Sequence, residues 1–177
     1  MTDYNIILIG ITGVGKTTIG KALAERLNKE FLDLDKNIEL RCGVDIPTIF
    51  AIEGEEGFRD REANELRLTI KNNMNFILSI GGGCIIRPEN RKLLSSGANI
   101  VVQLYADIET LVERLSKSAA KRPLLHGTDI AAKISELYNS RKDLYDNVSD
   151  IQVNTSNMKP NHVIDEIIKF LKKKEIC

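Results

Sequence analysis

The sharpest chemical signal in the chain is the run Gly10-Ile11-Thr12-Gly13-Val14-Gly15-Lys16-Thr17, which has the spacing G-x-x-x-x-G-K-S/T. Glycines so placed let backbone N–H groups curl around phosphate oxygens, and a helix opening at the last glycine adds its positive dipole end. Lys16 is positioned to reach the β and γ phosphates of a nucleoside triphosphate, and the Thr17 hydroxyl to bind magnesium. The expected nucleotide contacts are therefore Gly13, Val14, Gly15, Lys16, Thr17 and Thr18. Such a loop by itself implies only that a nucleoside triphosphate binds, because kinases, switches and motors share it.

A second set of residues has types suited to choosing an acceptor. Asp33-Leu34-Asp35 ends a short apolar segment, and period-two spacing puts both carboxylates on one face of a strand. One carboxylate could hold a magnesium-bound water while the other accepts a hydrogen bond from an attacking hydroxyl; the competing reading is a pair of solvated acids, or a helix N-cap at Asp35. The triplet Gly81-Gly82-Gly83 offers bare backbone to a flat ligand, or is a simple tight turn. Arg59 reads either as an anion-binding group or as a surface residue paired with Glu55 or Glu62 at helical spacing, and Arg141 either way with Asp143 or Asp146.

These groups need a scaffold, and the hydrophobic pattern supplies one. Short β-branched runs at 4–9, 30–34, 76–80, 99–104 and 151–153 alternate with helical spacing at 15–28, 57–72, 89–95, 107–116, 131–145 and 161–173. Strands alternating with helices specify an α/β fold, a parallel sheet covered on both faces, in one domain spanning 1–177. Residues 116–129, with the run Arg122-Pro123-Leu124-Leu125-His126-Gly127, read as a mobile loop.

Composition narrows the partners. The 177 residues carry 25 basic and 25 acidic side chains, so no global positive field draws the chain to nucleic acid. Cys42, Cys84 and Cys177 match neither a disulfide framework nor a metal knuckle and read as free thiols in a reducing, cytoplasmic compartment. No apolar run is long enough to span a bilayer. His126 and His162 match no metal or triad spacing.

Taken in order, the phosphate loop, Asp33-x-Asp35, Ile38-Glu39, Gly43, Ile49-Phe50, Gly54-Glu55, Phe58-Arg59, Glu62, the triplet after Ser79-Ile80, Arg122-Pro123-Leu124-Leu125, and Arg141 with Tyr145 resemble the shikimate kinase family over about 5–168. The resemblance implies a three-layer α/β/α P-loop kinase fold with a five-stranded parallel sheet, a substrate-binding helical region at about 33–62 and a mobile lid at about 116–129. It implies ATP as co-substrate, magnesium, shikimate as acceptor and a monomer. Carried over position by position, it assigns Asp35, Arg59, Gly81, Gly82, Gly83 and Arg141 to shikimate, Asp33 and Thr17 to the metal, and Lys16, Asp35 and Arg122 to catalysis. Arg114 and Met158 fall on the adenine side, Met158 reading equally as a packing residue. A gluconate or nucleoside monophosphate kinase, or a nucleotide-binding module without catalysis, are the rival readings; the glycine triplet and the Asp35, Arg59, Arg141 set separate them.

A lid arginine arrives at the transferring group only on closure, where such arginines contribute roughly 10³ to 10⁵ in rate. Arg122→Ala is therefore expected to lower turnover far more than it weakens binding of the ring acid. Equal losses in kcat and in shikimate affinity would count against that role.

Overall fold

The computed structural model describes residues 4–117 and 130–174. Arg122, His126 and nearly all of the expected lid lie outside them. Five parallel strands, β1 (Asn5–Ile9), β2 (Glu30–Asp33), β3 (Phe76–Ser79), β4 (Asn99–Tyr105) and β5 (Ile151–Asn154), form one sheet in the order β2-β3-β1-β4-β5. Eight helices connect and cover them: α1 (Lys16–Leu27), α2 (Leu34–Cys42), α3 (Ile46–Asn72), α4 (Pro88–Leu94), α5 (Ile108–Ser116), α6 (Ile130–Asn139), α7 (Lys142–Val148) and α8 (Pro160–Lys173). None of the described helices is long and apolar enough to cross a membrane.

The sheet centre follows directly from composition. Ile6, Ile7, Leu8 and Ile9 of β1 and Phe76, Ile77 and Leu78 of β3 are fully buried, as strands covered on both faces must be. β1 pairs with β3 on one side and β4 on the other, with Leu8 opposite Ser79 and Ile9 opposite Gln103. The chain leaves β1 toward β2 and leaves β3 toward β4, so the carboxyl ends of these neighbours flank a topological switch point. The phosphate loop follows β1, and the glycine triplet follows β3.

Three helical features depart from the sequence expectation, each for a local reason. The 57–72 helix is preceded, across a kink, by a helical segment from Ile46 capped by Asp45, whose side chain accepts from Thr48 N at 3.0 Å. Its path breaks at Gly54 (φ 70, ψ −173), and the glycines and acids around that break blur the apolar period. Helix α2 has only Leu34 and Ile38 buried, too few positions for periodicity to register. The segment expected as a single helix at 131–145 is two, α6 and α7, because Arg141 (φ −122, ψ −9) interrupts it.

One buried contact fixes α1 to the sheet. A Cβ on Gly20 would stand 2.4 Å from Phe31 Cε2 and 3.0 Å from Leu8 Cδ1. Alanine at an ordinary helix position gains about 1 kcal/mol over glycine, but overpacking here outweighs it. Gly20→Ala is expected to lower the unfolding free energy by about 1–3 kcal/mol in urea titration; a more stable variant would refute the packing argument.

Candidate active site

The phosphate loop leaves β1 through Gly10, where φ is 136° and a Cβ would come within 2.2 Å of the Leu104 carbonyl oxygen. Only glycine tolerates both the backbone conformation and that approach. The loop then opens α1 at Gly15, turning the helix N-terminus toward the cleft. Lys16 Nζ arches back over the loop and donates to the carbonyls of Gly10 (2.7 Å) and Ile11 (3.1 Å). Thr17 and Thr18 are exposed, whereas the Val14 side chain is buried, so this valine can offer a nucleotide only its backbone.

Thr17 Oγ1 donates to Asp33 Oδ2 at 3.2 Å, which brings together the two residues expected at the metal. Strand β2 ends at Asp33, and Asp35 lies in the first turn of α2, so the two carboxylates do not share a strand face as the period-two reading expected. The N-cap of α2 is Asp33, accepting from Lys36 N at 3.4 Å, and not Asp35. Asp35 turns instead toward the triplet: a Cβ on Gly81 would lie 3.1 Å from its Oδ1. Burial, then the neighbouring Asp33, raise its pKa above the usual carboxylate value, and Lys16 works against them.

Arg59 makes both expected ion pairs, but not as a surface residue. It pairs with Glu62 at 2.7 Å and Glu55 at 3.3 Å, yet is only 13% exposed and borders the cleft. A Cβ on Gly83 would fall 2.3 Å from its Nη2, so the guanidinium occupies space that glycine alone leaves open. Arg141 makes neither ion pair expected on its own helix: Lys142 takes Asp146 at 2.5 Å, and Arg141 Nη1 donates to the Gly82 carbonyl at 3.3 Å. The α6–α7 break is what frees it, by setting Arg141 at the start of α7 rather than within a continuous helix.

On the opposite flank, Arg114 from α5 donates to Thr155 O at 2.6 Å, Thr155 Oγ1 at 3.1 Å and Gly13 O at 3.4 Å, bracing the phosphate loop against the loop after β5. Met158 from that loop is half-buried against the core and also borders the cleft, so both of its readings stand. One cleft of about 990 Å³ thus joins the phosphate loop, Asp33, Asp35, Arg59, Gly81, Gly82, Arg114, Arg141 and Met158. Gly83 lies behind it, against Arg59.

Two residues near the triplet carried no assigned role in the sequence reading. Glu62 is buried between Arg59 and Gly81; its i+3 spacing from Arg59 was the available signal. Tyr145 is fully buried, and its hydroxyl donates to Gly82 O at 2.5 Å. Neither burial nor the length of that reach is visible in sequence.

Burial pushes the Glu62 carboxyl up to about 7 from its ordinary 4.5, with Arg59 opposing and Asp35 adding to the rise. A carboxyl with a raised folded-state pKa binds its proton more tightly in the folded protein, so its stabilising contribution is full below about pH 4.5 and is lost as pH rises through 7. Between about pH 5 and 8 the parent is expected to lose on the order of 1–3 kcal/mol of stability relative to Glu62→Gln. Denaturant titrations at both pH values check this, and parallel pH profiles for the two proteins would exclude it.

The shikimate kinase family model matches residues 12–172. The chain is 46% identical over 167 residues to a shikimate kinase of Francisella tularensis subsp. novicida, covering 94% of each, and 44% identical over 167 residues to one of Francisella philomiragia. Among solved structures it resembles a shikimate kinase from Acinetobacter baumannii in complex with shikimate, with a TM-score of 0.91 and 36% identity over 99% of this chain and 97% of that one. A shikimate kinase from Aquifex aeolicus gives a TM-score of 0.79 at 30% identity over 97% of this chain and 98% of that one. The family model over residues 12–172 and relatives 44–46% identical over 167 residues place this chain in the shikimate kinase family.

Proposed function

We propose that this chain transfers the γ-phosphoryl group of ATP to the 3-hydroxyl of shikimate, giving shikimate 3-phosphate and ADP on the route to chorismate and the aromatic amino acids. The observation that carries the reading is convergence: Asp35, Arg59 and Arg141 come from three different helices and meet around Gly81 to Gly83, across the cleft from the phosphate loop.

Each group has a task the substrate's chemistry sets. Arg59 and Arg141 form a charge-assisted clamp for the ring carboxylate. Ile46, Pro47 and Phe50 line the cleft and give the ring's apolar face a floor, with Phe50 held by Phe58 at a centroid distance of 4.7 Å. Asp35 accepts the hydrogen bond of the attacking hydroxyl. As the hydroxyl oxygen bonds to the γ phosphorus, the bond from that phosphorus to the β–γ bridging oxygen breaks, ADP takes the electron pair, and the hydroxyl proton passes to Asp35. Lys16 and the loop amides stabilise charge on the β and γ phosphates, and Arg122 adds its own on closure of the lid.

Thr17 and Asp33 fit a hard cation such as magnesium, since a hydroxyl and a carboxylate oxygen are already within 3.2 Å of each other beside the phosphate loop. Bound there with the phosphates, magnesium would supply charge neutralisation on the β and γ oxygens. Thr17 would ligate it, and Asp33 would hold it through water.

The chain would work as a monomer of one domain, with a substrate-binding region at about 33–62 and a lid at about 116–129. Cys42 and Cys84 remain free thiols, in keeping with a reducing cytoplasm.

Coupling ADP release to NADH oxidation tests the reading while shikimate, gluconate, AMP and CMP are offered in turn. Shikimate alone is expected to sustain ADP production, and Asp35→Asn to reduce kcat by about 10² to 10⁴. Turnover with another acceptor but not with shikimate, or a near-native kcat in the variant, would overturn it.

A further inference from the structure

The backbone of the glycine triplet is held from three directions. The carbonyl of Gly81 accepts from Cys84 N at 3.1 Å and that of Gly83 from Ile86 N at 3.0 Å, both within the tight turn that follows β3. The middle carbonyl, Gly82 O, points away from that turn toward α7, where it accepts from Tyr145 Oη at 2.5 Å and Arg141 Nη1 at 3.3 Å. These two donors are one helical turn apart, so a single face of α7 addresses a single carbonyl.

The two bonds differ in kind. The tyrosine bond is short, its ring is 1% exposed, and burial holds the proton on its hydroxyl well past the usual phenol range, so it stays a donor. The arginine bond is long and belongs to a group with a better partner available whenever a carboxylate enters the cleft. Once Arg141 turns to an anion, Tyr145 alone keeps Gly82 tied to α7.

Helix α7 is also tied to the sheet. Asp146 accepts from Gln103 Nε2 at 3.2 Å and Gln152 Nε2 at 3.1 Å, on β4 and β5, and Ser149 donates to Gln103 Oε1 at 3.1 Å. Helix α7 is therefore a rigid strut between the sheet and the triplet, with Tyr145 as its only described side-chain hydrogen bond to Gly82 besides that of Arg141.

We infer that Tyr145 is a positioning residue for recognition of the substrate carboxylate: its hydroxyl fixes the Gly82–Gly83 peptide against α7 and so sets the distance between the triplet and Arg141. The trans peptide makes the Gly83 N–H antiparallel to the pinned carbonyl, so the same bond turns that amide away from α7. A triplet of glycines has no side chains to restrain it, and without the latch it samples orientations in which its spacing from the Arg141 guanidinium changes. Misplacement of one anion-binding partner by a fraction of an ångström weakens binding of the anion and leaves the nucleotide half untouched.

This inference rests on shikimate being the acceptor, and the test separates the two. Tyr145→Phe in the full chain removes one oxygen and keeps the ring that fills the core. The parent must first show shikimate-dependent ADP release; if it does not, the acceptor reading itself fails. Given that activity, the variant is expected to raise the KM for shikimate roughly tenfold, the effect of one misplaced hydrogen bond, with the KM for ATP within about twofold. The penalty should vanish for an analogue whose carboxylate is replaced by a neutral carboxamide, which parent and variant should use alike. In a double-mutant cycle, Tyr145→Phe and Arg141→Lys together should cost less than the product of their separate effects. An unchanged KM for shikimate, equal increases for shikimate and ATP, or the same penalty with the carboxamide would each overturn the positioning role, whatever the variant's unfolding midpoint.

Discussion

Register between β1 and β3 is the constraint on which the site depends. Ile6, Ile7 and Leu8 pair with Ile77, Leu78 and Ser79, so both strands end at the same height and their following loops emerge side by side. Contact between them is immediate: a Cβ on Gly82 would lie 3.3 Å from Gly10 O and from Ile11 Cα. A slip of one residue would exchange the side chains that β3 turns to its two faces, which close packing on both faces does not permit. The hydrophobic effect acting on two buried strands therefore sets the spacing between a phosphate cradle and an acceptor pocket. Polar chemistry is laid on top of a geometry that oil-like packing has already fixed.

Within that geometry the charges are few and tightly interdependent. Glu62 is held by Arg59 yet kept near neutral pH by burial, and Asp35 feels Asp33 and Glu39 on one side and Lys16 and Arg59 on the other. Changing a neighbour alters the proton affinity of the Asp35 and Glu62 carboxyls, because the shared surroundings screen them weakly. Surface pairs such as Arg26 with Asp165, each half-exposed, have no such leverage.

What sequence made legible tracks how local the cause is. The phosphate loop and the triplet are requirements of adjacent backbone atoms, so their residue types announce them. Arg59 at i+4 from Glu55 was ambiguous because helical spacing predicts the ion pair equally well whether it lies in solvent or in a cleft; the deciding fact, 13% exposure, comes from elements far away in sequence. Asp33 and Asp35 were read with a strand's period because the change from β2 to α2 falls between them, and a nine-residue helix with two buried positions leaves no period to find. Arg141 is a candidate from sequence, but its release from Asp143 and Asp146 follows from a helix break whose effect is tertiary. Tyr145 was visible as part of a motif, but its bond spans 63 residues and no periodicity encodes it.

The unsatisfied atoms complete this picture. Among the described residues, four buried side-chain polar atoms make no hydrogen bond, and three of them, Asp35 Oδ1, Arg59 Nε and Glu62 Oε1, surround the triplet. A buried polar atom without a partner costs about 1–3 kcal/mol, and proteins rarely retain such atoms where nothing will meet them. Of these, the Asp35 acceptor and the Arg59 donor belong to residues that border the cleft, an arrangement suited to a ligand with a hydroxyl and an anionic group. Asp35 and Arg59 border the cleft, so a ligand that met those two atoms would relieve a penalty already present in the folded chain. A ligand without the carboxylate or the hydroxyls would leave those atoms stranded, and the same unmet groups that favour the right acceptor then discriminate against the wrong one.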